Sequence, residues 1–114
     1  TNLRKLYLGD NSITDDGLGK LSKASNMMKL EEIVLYGNSD VTSEGLVYLG
    51  EVIFEEFEEI GLHDTSVCDK GLNYFLRTEN SANLEVLDVS MNSKKVTDQT
   101  LKAIASSKYC LSLK

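Results

Sequence analysis

A period of 27 residues governs this chain and leaves few folds open to it. Leu3-Arg4-Lys5-Leu6-Tyr7-Leu8 returns as Leu30-Glu31-Glu32-Ile33-Val34-Leu35 and then as Phe57-Glu58-Glu59-Ile60-Gly61-Leu62. It returns once more as Leu84-Glu85-Val86-Leu87-Asp88-Val89. Behind each string stands Asn11, Asn38, Thr65 or Asn92. A β-branched residue follows (Ile13, Val41, Val67, Val96), and then Thr14, Thr42, Cys68 or Thr97. An apolar pair closes each pattern: Leu18/Leu21, Leu46/Leu49, Leu72/Phe75 and Leu101/Ile104. A fixed period of this length marks an array of like units.

Each unit opens with alternation of period two, which predicts a short strand with one buried face. It then changes to helical spacing behind a threonine. Threonine can cap a helix N-terminus, and acids in the first turn suit the helix dipole. One strand and one helix cannot bury their own apolar faces, whereas stacked units bury a continuous core. Successive strands must then pair in parallel, with the helices crossing back outside. Gly17, Gly45 and Gly71 recur in the first helical turn, with Thr100 in their place in the fourth unit. Glycine weakens a helix there, so close approach of neighbouring units is expected.

The string Leu-x-x-Leu-x-Leu-x-x-Asn-x-(Ile/Val)-Thr-(Asp/Ser)-x-Gly-Leu-x-x-Leu resembles the leucine-rich repeat across essentially residues 3–113. Its turn is similar to those of the ribonuclease-inhibitor-like and cysteine-containing, F-box-associated subclasses. The resemblance implies an α/β right-handed solenoid, a horseshoe arc with the parallel sheet on its concave face and helices on its convex face. It also implies that the Asn column turns inward and hydrogen-bonds the backbone, with a weak point at Thr65. The expected organisation is one domain over residues 1–114 with units 3–29, 30–56, 57–83 and 84–110 and the start of a fifth. That fifth unit alternates on Leu111 and Leu113, or on Cys110 and Leu113; the first register is preferred. The chain opens at Thr1 already within the pattern, and a piece of a longer protein is expected.

Composition matters chiefly through charge. The chain carries 18 acids against 12 bases, a net charge of −6. That balance repels the phosphate backbone and disfavours nucleic acid. The residues between the inward strand positions, from Arg4 to Asp10 and at the equivalent places in each unit, hold eight acids and two bases. The whole excess thus falls on the strand-lined face. Strands lie about 4.8 Å apart, so Glu31, Glu58 and Glu85 should stack as a column, with Glu32 and Glu59 beside it and Asp88 further along. Like charges so placed are mildly destabilising, and a cationic partner would relieve them. Tyr7 and Tyr36 border the column as anchors, and His63 shares the face. A bland reading, in which these charges only keep an exposed sheet soluble, stands beside the functional one.

Other chemistry finds little support. His63 is the one histidine and precedes Cys68 by five residues, but it sits on the strand face while Cys68 lies beyond the turn. Nucleophilic or metal chemistry needs convergent side chains. Cys68 reads as the occupant of a capping slot and Cys110 as a partly buried apolar residue; about two units separate them, too far to bridge. The run Glu55-Glu56-Phe57-Glu58-Glu59 lacks the alternation and glycine of a calcium loop. Reduced thiols place the chain in the cytoplasm or nucleus. No apolar run approaches the roughly 20 residues of a membrane span. The expectation is a non-catalytic module without cofactor or metal, binding another protein that offers a basic surface or segment. The resemblance also allows the substrate-recognition segment of a ubiquitin ligase, or a regulatory module such as a GTPase activator.

Overall fold

Leu6, Ile33, Ile60 and Leu87 lie side by side as register partners in a four-stranded parallel sheet of order β1-β2-β3-β4. A computed structural model describes residues 3–24, 27–92, 95–110 and Leu113. The strands are β1 (Lys5–Tyr7), β2 (Glu32–Val34), β3 (Glu59–Gly61) and β4 (Val86–Asp88). Each leads into a helix: α1 (Asp15–Leu21), α2 (Ser43–Gly50), α3 (Asp69–Leu76) and α4 (Asp98–Ser106). Short 3-10 turns at Met27–Lys29 and Glu79–Ser81 return the chain to the next strand. Sheet order equals chain order, as a right-handed stack of identical crossovers requires.

The core lies between the sheet and the helices. Leu30, Ile33, Leu35, Leu49, Ile60, Leu62, Leu76 and Leu84 are fully buried. Phe57 stands where the other units begin with leucine; it stacks on Phe54 at 4.5 Å and meets Phe75 edge-on at 5.9 Å. Burial fades at the outer units, where Leu6, Leu8, Leu87 and Val89 are only half-buried. A middle unit is covered on both sides and an outer one on a single side.

Leu101 departs from the sequence reading, being 64% exposed while Thr100 and Ala103 are buried. The equivalent Leu18 lies against Gly45 of the next unit; no such helix follows α4 among the described residues. Of the fifth unit, Cys110 and Leu113 pack against the core, while Leu111 lies outside the described residues.

Hydrogen bonds tie each unit to the one before. Asn38 is wholly buried. Its Oδ1 accepts from the amides of Asn11 (3.1 Å) and Ile13 (2.8 Å), and its Nδ2 donates to the carbonyls of Leu8 (2.8 Å) and Leu35 (2.9 Å). Asn92 repeats this two junctions on, accepting from Thr65 N and donating to Leu62 O. Thr65 cannot. Its Oγ1 reaches only Leu62 O and, at 3.5 Å, Val67 N, both within its own unit. Neighbouring Ser66 partly replaces the link through its Oγ to Ser39 O and its amide to Val41 O. Asn11 corrects the expectation of an inward column. It is exposed and donates to Gly9 O, because no earlier unit is described for it to face.

A second link runs across the helix starts. Thr14, Thr42 and Thr97 cap α1, α2 and α4 with their side-chain oxygens. Asp15 accepts from the amide and hydroxyl of Thr42, and Asp69 does the same for Thr97. Between units 2 and 3 the pair becomes Ser43 and Cys68, 3.1 Å apart. Close approach explains two of the glycines: a Cβ on Gly45 would sit 2.5 Å from Asp15, and one on Gly71 would sit 2.7 Å from the Cα of Ser43. A Cβ on Gly17 would meet only Thr14 Oγ1, at an ordinary contact distance of 3.7 Å.

Candidate functional site

Alternate strand residues point to opposite faces of a sheet. With Leu6, Ile33, Ile60 and Leu87 turned into the core, Lys5, Tyr7, Glu32, Val34, Glu59, Gly61, Val86 and Asp88 form the outer wall. Parallel pairing continues past the strands, through Asp10 N to Tyr36 O, Gly37 N to His63 O and Asp64 N to Ser90 O. Tyr36 and His63 therefore stand in one row across the stack. That row ends on a left-handed turn, with positive φ at Asp10, Gly37, Asp64 and Met91. Glycine serves this position only in unit 2.

The wall is uneven in charge. Arg4 Nη1 lies 2.6 Å from Glu31 Oε2, and Lys5 Nζ lies 3.5 Å from Glu32 Oε1. Glu32 also accepts a hydrogen bond from the hydroxyl of Tyr7, and that bond raises the phenol's pKa. Glu31 borders a depression of about 190 Å³ that it shares with Arg4, Lys29, Glu55 and Glu56; Lys29 there pairs with Glu55 at 2.6 Å. Glu58 and Glu59 continue the two columns into unit 3, and their carboxylates have no ion-pair or hydrogen-bond partner among the described residues. Glu85 follows Glu58 along the ladder through its amide to Glu58 O.

Unit 4 supplies a small polar chain. Asp88 Oδ1 accepts from Ser90 Oγ at 2.7 Å and from Ser90 N at 3.0 Å. These bonds, the Ser90 hydroxyl first, hold the Asp88 carboxyl below its ordinary pKa. His63 Nδ1 lies 2.6 Å from Ser90 Oγ. Since the serine hydrogen goes to Asp88, Nδ1 must be the donor, which leaves Nε2 as the ring's free nitrogen. Ser90 is the residue that sequence reasoning missed; only its place beside His63 in the repeat register would have pointed to it. Serine here donates to a carboxylate held below its ordinary pKa, a weak base, and not to the imidazole that would activate it as a nucleophile.

The apolar part of the face belongs to units 1 and 2. Tyr7 is 60% and Tyr36 42% exposed. The ring of Tyr36 lies over Gly9, where a Cβ would be 2.2 Å from it. Unit 3 has Gly61 in the column that carries Tyr7, Val34 and Asp88 elsewhere; it is buried, and a Cβ there would lie 3.2 Å from Val34 Cγ1. The structure thus brings Tyr7, Glu32 and Lys5 together at one end of the face, with Glu59 near enough to act on the Tyr7 phenol, and links His63 to Asp88 through Ser90 at the other. His63 and Cys68 have separate partners. The Cys68 thiol pKa is lowered by the Ser43 hydroxyl and by nearby α3 amides, while burial and the Asp69 carboxylate act against them. Both cysteines are free. Among the described residues no cluster of three or more His, Cys, Asp or Glu could hold a metal ion, and no helix is long and apolar enough to cross a membrane.

The 27-residue register and this parallel stack define a repeat protein of one strand and one helix per unit. Residues 1–22 match the family described as Leucine Rich repeat. A chain in the crystal structure of the yeast Rad7 and Elc1 complex superposes at a TM-score of 0.70 with 23% identity, covering 90% of this chain and 25% of that one. The present chain thus spans a quarter of its structural neighbour's length. No curated protein matches the sequence. The fold is that of a leucine-rich-repeat protein.

Proposed function

We propose that this chain is a non-catalytic recognition module whose acidic, strand-lined face receives a basic surface or segment of another protein. The observation that carries this reading is the pair Glu58 and Glu59, carboxylates at the sheet face with no ion-pair cation among the described residues. Evenly spaced rigid strands hold such groups in place before binding, and complementary charge speeds encounter and fixes register. Exposed Tyr7 and Tyr36 add the aromatic surface in which binding hot spots are rich. The neighbouring fold was solved as a complex, Rad7 with Elc1, which supports a protein partner here too. Between the narrower alternatives, the placement of the arginines favours a receptor-type segment over a GTPase activator. Arg4 is engaged by Glu31, and Arg77 stands at the end of α3, away from the outer strand wall.

Titration of a labelled Lys/Arg-rich peptide, followed by fluorescence anisotropy at low and high ionic strength, tests the reading. The basic peptide is expected to bind and to weaken as salt rises. Equal binding by a counterpart with glutamine at every basic position would refute it.

A further inference from the structure

Charge on the strand face is divided along the stack, and from that division we infer the layout of the partner. It is an extended segment that sets cationic side chains over units 3 and 4, on Glu58, Glu59 and Asp88, and an apolar side chain over the tyrosines of units 1 and 2. This rests on the face being the protein-binding surface, and it adds where each part of the partner sits.

Unit 2 has its cations already. Arg4 and Lys5 occupy the two columns next to Glu31 and Glu32, and the Tyr7 hydroxyl takes up Glu32 as well. One step along, Glu58 and Glu59 stand in the same columns beyond the reach of Arg4 and Lys5, and Val86 follows Glu59 in its row. Unit 1 therefore displays toward unit 2 the chemistry that no described residue sets against Glu58 and Glu59: a guanidinium and an ammonium beside paired glutamates. Both Ser90 bonds fall on one oxygen of Asp88, which leaves the other oxygen to a long cationic side chain. Neutralised acids beside exposed tyrosine rings make the other end of the face fit for apolar contact.

Spacing sets the segment's pattern. Three strand spacings separate β1 from β4, about 14 Å. In an extended segment, residues four apart rise about 13 Å and point the same way. An apolar residue and a cation four positions apart would bridge the two ends.

The probe is a labelled Gly/Ser peptide with phenylalanine and arginine four positions apart and a lysine midway between them, within reach of β3. Binding is measured to the wild type and to folded variants checked by circular dichroism. Glu58→Gln with Glu59→Gln is expected to weaken binding about fivefold to tenfold, as the loss of two partly exposed charge contacts allows. Glu31→Gln with Glu32→Gln should change it by less than about twofold, within the range of a surface pair already satisfied internally. Arg4→Gln with Lys5→Gln should tighten it, because two more carboxylates come free; this variant decides the matter if the first fails to fold. Replacing the probe's phenylalanine by serine should weaken binding to the wild type and make no difference to Tyr7→Ser. Equal losses from the two glutamate pairs would overturn the division while leaving the acidic face as the binding surface. A probe that binds no better than its Arg/Lys-to-Gln counterpart would overturn both.

Discussion

Asn38 illustrates how much one side chain can carry in a stacked protein. Its amide closes the turn of unit 2 and holds the turn of unit 1 through two accepted and two close donated bonds. Asn38→Ala strands buried backbone groups on both sides of a junction, each costly when left unmade. A loss of about 3 kcal/mol in urea unfolding is expected, and a loss under about 1 kcal/mol would contradict the role. Thr65 offers the converse. Thr65→Asn should gain about 1 kcal/mol by restoring the link to Leu35 that threonine is too short to make. The Asn column was legible in the sequence because it recurs in register. The left-handed turn was not, because Asp10, Asp64 and Met91 hide a conformation that only Gly37 announces.

At the scale of elements, the helix starts are joined by carboxylates. Asp69, first residue of α3, accepts from the hydroxyls of Thr100 and Thr97 and the amide of Thr97, and these bonds lower its pKa, Thr100 contributing most. A carboxyl whose folded pKa is depressed stabilises the fold fully above its unfolded pKa, near 4. That stability is lost as pH falls through the folded value. Urea midpoints should therefore decline on acidification below about pH 4, and Asp69→Asn should flatten the decline; an unchanged slope would remove Asp69 from the link. Strands and helices themselves were plain from the change of period at each Thr, Cys or Asn column. Two links were not. Asn80 stitches the far side of the stack, accepting from Phe54 N and donating to Val52 O, and Ser107 donates to Leu76 O. Their places carry Ile53 in unit 2, which is 75% exposed, so no column betrayed them.

For the whole molecule, the repeat settles the architecture, and the departures from the repeat give it character. Four strands in strict register present one wall to solvent, and the side chains on it follow from the alternation alone. Of the acids that the sequence suggests for that wall, Glu32, Glu59 and Asp88 take strand positions on it, while Glu31, Glu58 and Glu85 stand one residue earlier, at the strand entry. The sequence could not foresee that Arg4 and Lys5 would spend themselves on unit 2, since an ion pair depends on rotamers of long side chains. Nor did it reveal the link from His63 through Ser90 to Asp88, which needs two strands brought together. The measurement that bears most directly on the proposed function is a backbone amide NMR titration with a Lys/Arg-rich peptide. Shifts concentrated on Glu59, Gly61, His63, Asp88 and Ser90, with α1 to α4 unmoved, are expected. Shifts centred on the helices, with the strand wall silent, would contradict it.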